Sequence, residues 1–95
     1  MSEIIIATSD TLDGYRISSY LGLIASREFM LDSCLSNERH IDGFHSALKS
    51  AETRLRESAA SAGANAVIGV RSEYFKNCGG TIVVLTGTAV SIEKL

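Results

Sequence analysis

Residues 41–63 read IDGFHSALKSAETRLRESAASAG, and this stretch decides the fold. Ile41, Phe44, Leu48, Ala51, Leu55, Ala59 and Ala62 recur three or four positions apart, which lines them up on one stripe of an α-helix. Lys49, Glu52, Arg56 and Glu57 fall off that stripe and can face water. Gly63 follows the last stripe residue, where a residue without a Cβ takes the left-handed conformation that closes a helix. Upstream, Ser36 or Asn37 suits the N-cap and Glu38 suits the positive end of the helix dipole. Gly43 costs about 1 kcal/mol relative to alanine inside a helix, so the first turn is expected to be irregular or the helix to start after it.

Strands flank this helix on both sides. Residues 3–8 are rich in β-branched side chains and read as a first strand. Residues 9–14, Ser-Asp-Thr-Leu-Asp-Gly, carry turn chemistry. Residues 15–29 read as a second strand or a pair of short ones, and residues 30–37 as a loop. After the helix, residues 66–74 form a strand, and residues 75–80 form its turn, with Gly79-Gly80 expected to supply positive φ. Residues 81–93 form the last strand. The order β-β-α-β-β predicts an α+β domain: an antiparallel sheet with one long amphipathic helix packed on one face.

The last strand adds a constraint. Ile82, Val84, Val90 and Ile92 face one way in a regular strand, and Val83, Leu85 and Ala89 face the other. A sheet with one wet face alternates apolar and polar residues, and this strand does not. One helix covers one face, so something else must cover the second, and another copy of the chain is the economical candidate. Gly22, Gly69 and Gly87 each interrupt a strand pattern, which predicts a shared curved or crowded region or, failing that, separate bulges.

Composition sets the outer bounds. Ninety-five residues, 45% apolar and 21% charged, fit one globular domain. The net charge of −2 comes without a basic run, which argues against nucleic acid and against an electrostatic membrane anchor. The opening Met1-Ser2-Glu3 lacks the positive start of a secretory signal, and no apolar run approaches the ~20 residues of a membrane span. A cytoplasmic location is the expectation, with Cys34 and Cys78 as free thiols.

Chemistry-bearing residues are sparse. Cys34, His40, Asp42 and His45 lie in one stretch, with Cys78 elsewhere, and all are transition-metal ligand types. No Cys-x-x-Cys pair exists, and His40 and His45 are five apart, whereas ligand pairs on a helix sit three or four apart. Cys34, His40, His45 and Cys78 are the metal-ligand candidates, against the plainer reading of loop thiols and solvated histidines. No acid–base or nucleophile motif surrounds either cysteine, so no enzyme is expected. Gly63-Ala64-Asn65-Ala66 follows a helix, whereas a phosphate loop precedes one. Asn65 is read instead as fixing the turn into the strand by a side-chain to backbone hydrogen bond. Tyr74 and Phe75 point to opposite faces, so one of them can line an interface.

The stretch Gly63-Ala64-Asn65-Ala66-Val67-Ile68-Gly69-Val70, the later Gly87-Thr88-Ala89-Val90 and the earlier Tyr20-Leu21-Gly22-Leu23-Ile24 together resemble the YbjQ-like family, small bacterial and archaeal proteins often labelled heavy-metal-binding. The resemblance implies a dodecin-like α+β arrangement and a ring-shaped homo-oligomer, usually a pentamer, with no established activity or ligand set. It makes Gly22, Gly63, Asn65, Gly69 and Gly87 the structural motif. Family members carry a glycine-rich stretch with an Arg-Asp pair between the second strand and the helix, and residues 30–43 here depart from it. The combined expectation is a ring that binds a metal ion or small ligand at subunit interfaces, or a non-catalytic adaptor ring that presents a surface to protein partners.

Overall fold

A computed structural model describes the backbone of residues 4–31, 37–77 and 80–95, and their side chains apart from residues 30, 31, 37–44, 76 and 77. The elements are β1 (Ile5–Ile6), β2 (Tyr15–Leu31), α1 (Asn37–Ser61), β3 (Ala66–Asn77) and β4 (Gly80–Lys94). They form a four-stranded sheet in the order β1-β3-β4-β2. Pairs β2–β4 and β3–β4 are antiparallel as expected, but β1 lies parallel to β3, with Ile5 opposite Ala66 and Ile6 opposite Val67. The sheet is therefore mixed rather than antiparallel. The cause is the turn segment after β1: it doubles back across a sheet face, with Leu12 packed on it, and delivers the chain to the opposite edge.

Several boundaries move outward from the sequence reading. β2 is one strand of 17 residues rather than two, with register shifts at Ser18 and Leu21. It runs on to Leu31, and β3 runs on to Asn77; both of these residues pair with Gly80. Gly80 thus opens β4, while Gly79 lies outside the described residues. α1 starts at Asn37 and passes through Gly43 without a break.

The helix buries Ala47, Ala51, Leu55 and Ala59, four residues apart, against Val67, Val70, Val83, Leu85 and Ala89. Leu48 is half-buried and Ala62 exposed, so the buried stripe is set one position off the expected one at its N-terminal end. Three of these four residues are alanine, which lets the helix backbone lie close to the sheet. Among the described side chains of α1, Leu55 is the one large residue fully buried, and such burial contributes about 1.5–3 kcal/mol. The side chains of Ile41 and Phe44 lie outside those described. Polar groups fasten the same layer: Ser26 Oγ donates to the Ala51 carbonyl at 2.7 Å, and Arg56 Nε to the Ile4 carbonyl at 3.2 Å.

The second face of β4 is covered in part by the chain itself. Ala66, Ile68, Val90 and Ile92 pack beneath Ile5, Leu12, Tyr15 and Ile17. The expectation that another molecule must cover this face is corrected for that half, because the N-terminal segment folds back over it. The other half stays open. There Phe29, Ile82 and Phe75 form one cross-strand row, with Phe29 and Phe75 about half exposed.

The strand glycines cluster. β3 places Gly69 and Val70 opposite the single residue Gly87, a β-bulge whose first residue has φ +61°. Gly22 follows the Leu21 bulge and pairs with Ala89, two residues from Gly87. Gly87 itself is dictated by crowding, since a Cβ there would stand 2.6 Å from Val67 Cγ1 and 3.1 Å from Val70 Cγ2. Gly87→Ala is expected to destabilise the fold by about 1–3 kcal/mol, the usual cost of overpacking a filled core. Urea unfolding checks it: the midpoint should fall, and Val67→Ala in the same chain should recover part of the loss.

Candidate functional site

The junction between helix and β3 shows why the Gly-Ala-Asn stretch is needed. Gly63, at φ +81°, donates its N–H to the Ala60 carbonyl at 3.0 Å, and Ala64 donates to the Ala59 carbonyl at 2.9 Å. These two bonds are the Schellman pattern, which satisfies carbonyls the helix end would otherwise leave open. Asn65 then clamps the last strand. Its Nδ2 donates to the Ile92 carbonyl at 3.0 Å, and its Oδ1 accepts from the Ile92 N–H at 2.7 Å. The side-chain amide imitates a peptide unit paired to β4, while the Asn65 N–H donates to the Val90 carbonyl at 3.1 Å. Asn65 is therefore structural, and the phosphate reading of this loop gains no support.

Of the four metal candidates, only His45 has a described side chain. His45 is exposed on α1. Cys34, Cys78 and the side chain of His40 lie outside the described residues, as does that of Asp42. Among the described residues no three His, Cys, Asp or Glu side chains stand close enough to hold a metal ion. The described donors thus do not fit a metal centre. Leu31 and Asn77 both pair with Gly80.

Among the described residues, two neighbouring clefts lie along the outer border of β2. A cleft of about 320 Å³ is lined by Arg27, Glu28, Phe29, Arg54 and Ile82. A neighbouring one of about 400 Å³ shares Arg27 and Arg54 and adds Ser26, Glu57 and Ser58. Strand alternation places Arg27 and Phe29 on the face away from the helix, and Glu28 beneath α1. Arg54 Nε lies 2.8 Å from Glu28 Oε2, an ion pair without hydrogen-bond alignment. The Glu28 charge is thereby balanced, and Arg27, without an ion-pair partner among the described residues, presents a guanidinium fit for a carboxylate or phosphate oxygen. Sequence reasoning missed these residues because Arg27 and Arg54 meet only when the helix folds back over β2. At the far end of the same strand Arg16 pairs with Glu93, both exposed.

Among the described residues no helix is long and apolar enough to cross a membrane.

Comparison with known proteins adds a family. Residues 4–93 match the YbjQ family, described as "Putative heavy-metal-binding". A UPF0145 protein of Actinobacillus pleuropneumoniae is 38% identical, with 94% of this chain and 99% of the relative covered. A UPF0145 protein of Methanothermobacter thermautotrophicus is 36% identical over 94% of this chain and 96% of its own length. UPF0145 protein YjfJ of Lactococcus lactis is 32% identical over the whole of both chains. A crystal structure of a protein of unknown function from Pediococcus pentosaceus, of the DUF74 family, superposes with a TM-score of 0.71. That structure is 18% identical and the match covers 95% of this chain and 98% of that one, a likeness of fold.

The Asn65 clamp yields a direct test. Asn65→Asp keeps the acceptor for the Ile92 N–H but turns an oxygen toward the Ile92 carbonyl. It should cost about 1–3 kcal/mol at neutral pH, the range for a buried group left without its partner. Thermal unfolding of Asn65→Asp beside Asn65→Ala measures it, and the aspartate should be no better tolerated than the alanine.

Proposed function

The chain belongs to the YbjQ (UPF0145) family, and from that premise we propose that it works as a non-enzymatic homo-oligomer holding a small ligand or a metal ion at its subunit interfaces. One observation carries this reading: the open half of the sheet. Phe29 and Phe75 are about half exposed, Tyr20 is 69% exposed and Leu23 87% exposed, all on the face away from the helix. Side chains of this size on one strip of surface mark an interaction site. A closed ring of identical chains, five as the family resemblance implies, supplies the cover by repeating one contact.

Ligand binding at the interface is supported by two features. The clefts beside Arg27 and Arg54 are open to one side, so a neighbouring subunit can complete them into a pocket. The family's description points to metal, and Cys34, His40, His45 and Cys78 would be its donors. The competing reading is an adaptor ring with a cytoplasmic protein partner. The exposed apolar strip that supports a ring would serve such a partner equally.

Native mass spectrometry on protein purified without added metal separates the readings. The expected result is several chains plus an added mass that chelation or Cys34→Ser removes. A bare assembly supports the adaptor ring, and a monomer contradicts both.

A further inference from the structure

The two borders of the sheet differ in a way that specifies a contact. β2 ends the sheet on one side, and among the described residues no strand lies against its outer border. After the Leu21 bulge its pairing with β4 is uninterrupted, so residues 23–31 form a straight, open edge. On the other side β1 and the residues after it occupy β3 only as far as Val70. Ala7 donates to the Val67 carbonyl, Gly69 to the Ser9 carbonyl and Val70 to the Ala7 carbonyl. Among the described residues nothing pairs with residues 71–77 of β3 on that side. Open edges pair with other strands unless something blocks them, and this chain has one on each side with no proline in either.

We propose that residues 25–31 of one copy pair with residues 71–77 of the next, in parallel, with Arg27 set against Glu73 and Phe29 against Phe75. The proposal rests on the homo-oligomer reading above and names its surfaces. Direction follows from topology: β2 and β3 both run antiparallel to β4, so they point the same way. A ring that repeats one head-to-tail contact around an axis along the strands keeps that direction and joins them in parallel.

Register follows from the side chains. Within one chain Arg27, Val84 and Glu73 form one row, and Phe29, Ile82 and Phe75 the next, all on the face away from the helix. Setting the open edges level places opposite charges side by side and both half-exposed rings in contact. Moving one edge two residues one way puts Arg27 beside Arg71; moving it two the other way puts Arg27 beside Phe75 and Phe29 beside Asn77. A one-residue slip reverses the faces. The level register alone pairs both charge and apolar surface. Arg27 is exposed in the cleft at this border and Glu73 is exposed on the other.

Charge exchange tests this, read by native mass spectrometry with melting temperature as the control for folding. Arg27→Glu and Glu73→Arg should each weaken assembly on the order of tenfold or more, since like charges then meet at the contact. The two single variants, mixed, should form assemblies containing both masses, and the double variant should assemble like the wild type. Recovery in the mixture can only come from contact between chains. Wild-type assembly with both single variants equally assembled overturns the proposed contact while leaving the oligomer standing. A wild type that is monomeric overturns the oligomer reading itself, and this contact with it.

Discussion

One helix can shield one face of a sheet, and the chain is arranged around that limit. α1 lies across β2 and β4, and its alanine stripe lets it settle closely over Val67, Val83, Leu85 and Ala89. The opposite face cannot be left apolar without a cover. The chain covers half of it by folding residues 5–17 back over Ala66, Ile68, Val90 and Ile92. That manoeuvre places β1 parallel to β3 and sends β2 to the other border. The half that remains carries Phe29, Ile82 and Phe75 in one row. Parallel β1, the open border of β2 and the exposed aromatic row share this one cause.

The turn from α1 into β3 fixes how the helix and sheet meet. Gly63 ends the helix, Ala64 tucks under it, and Asn65 grips both polar groups of Ile92. Farther along, the Gly69–Val70 bulge faces Gly87, where no side chain has room. Bulges bend a strand and raise its twist. The bulges in β2 and β3 fall opposite residues 87–92 of β4, so the sheet is irregular under the N-terminal segment. The straight parts of β2 and β3 begin past that zone. They are also the parts whose outer borders carry no strand among the described residues.

Local patterns were legible in the sequence where a single element carries its own signal. Helical spacing marks α1, the glycine after it marks the cap, and Asn65 reads as a turn-fixing side chain whose partner, Ile92, lies on another strand. The alternation of Val83 with Ile82 and Leu85 with Val84 revealed a strand apolar on both sides. What failed depended on contacts between distant elements. Parallel β1 could not be read because the direction of a strand pair is set by how the intervening segment crosses the sheet, which polar turn residues do not encode. The Arg27–Glu28–Arg54 cleft needed a strand and a helix to be placed side by side. The metal candidates had weak spacing from the outset. His45 stands exposed, and Cys34, Cys78 and the His40 side chain fall outside the described residues.

The central claim is that the sheet of one chain is incomplete and is finished by another copy. Amide hydrogen exchange of the assembled wild type reads this residue by residue. Backbone N–H groups at a free border exchange with solvent, whereas paired ones are protected. Protection is expected at every amide of residues 25–31 and 71–77, including those that point away from β4. Fast exchange at the outward-pointing amides, with the inward ones protected, would contradict it.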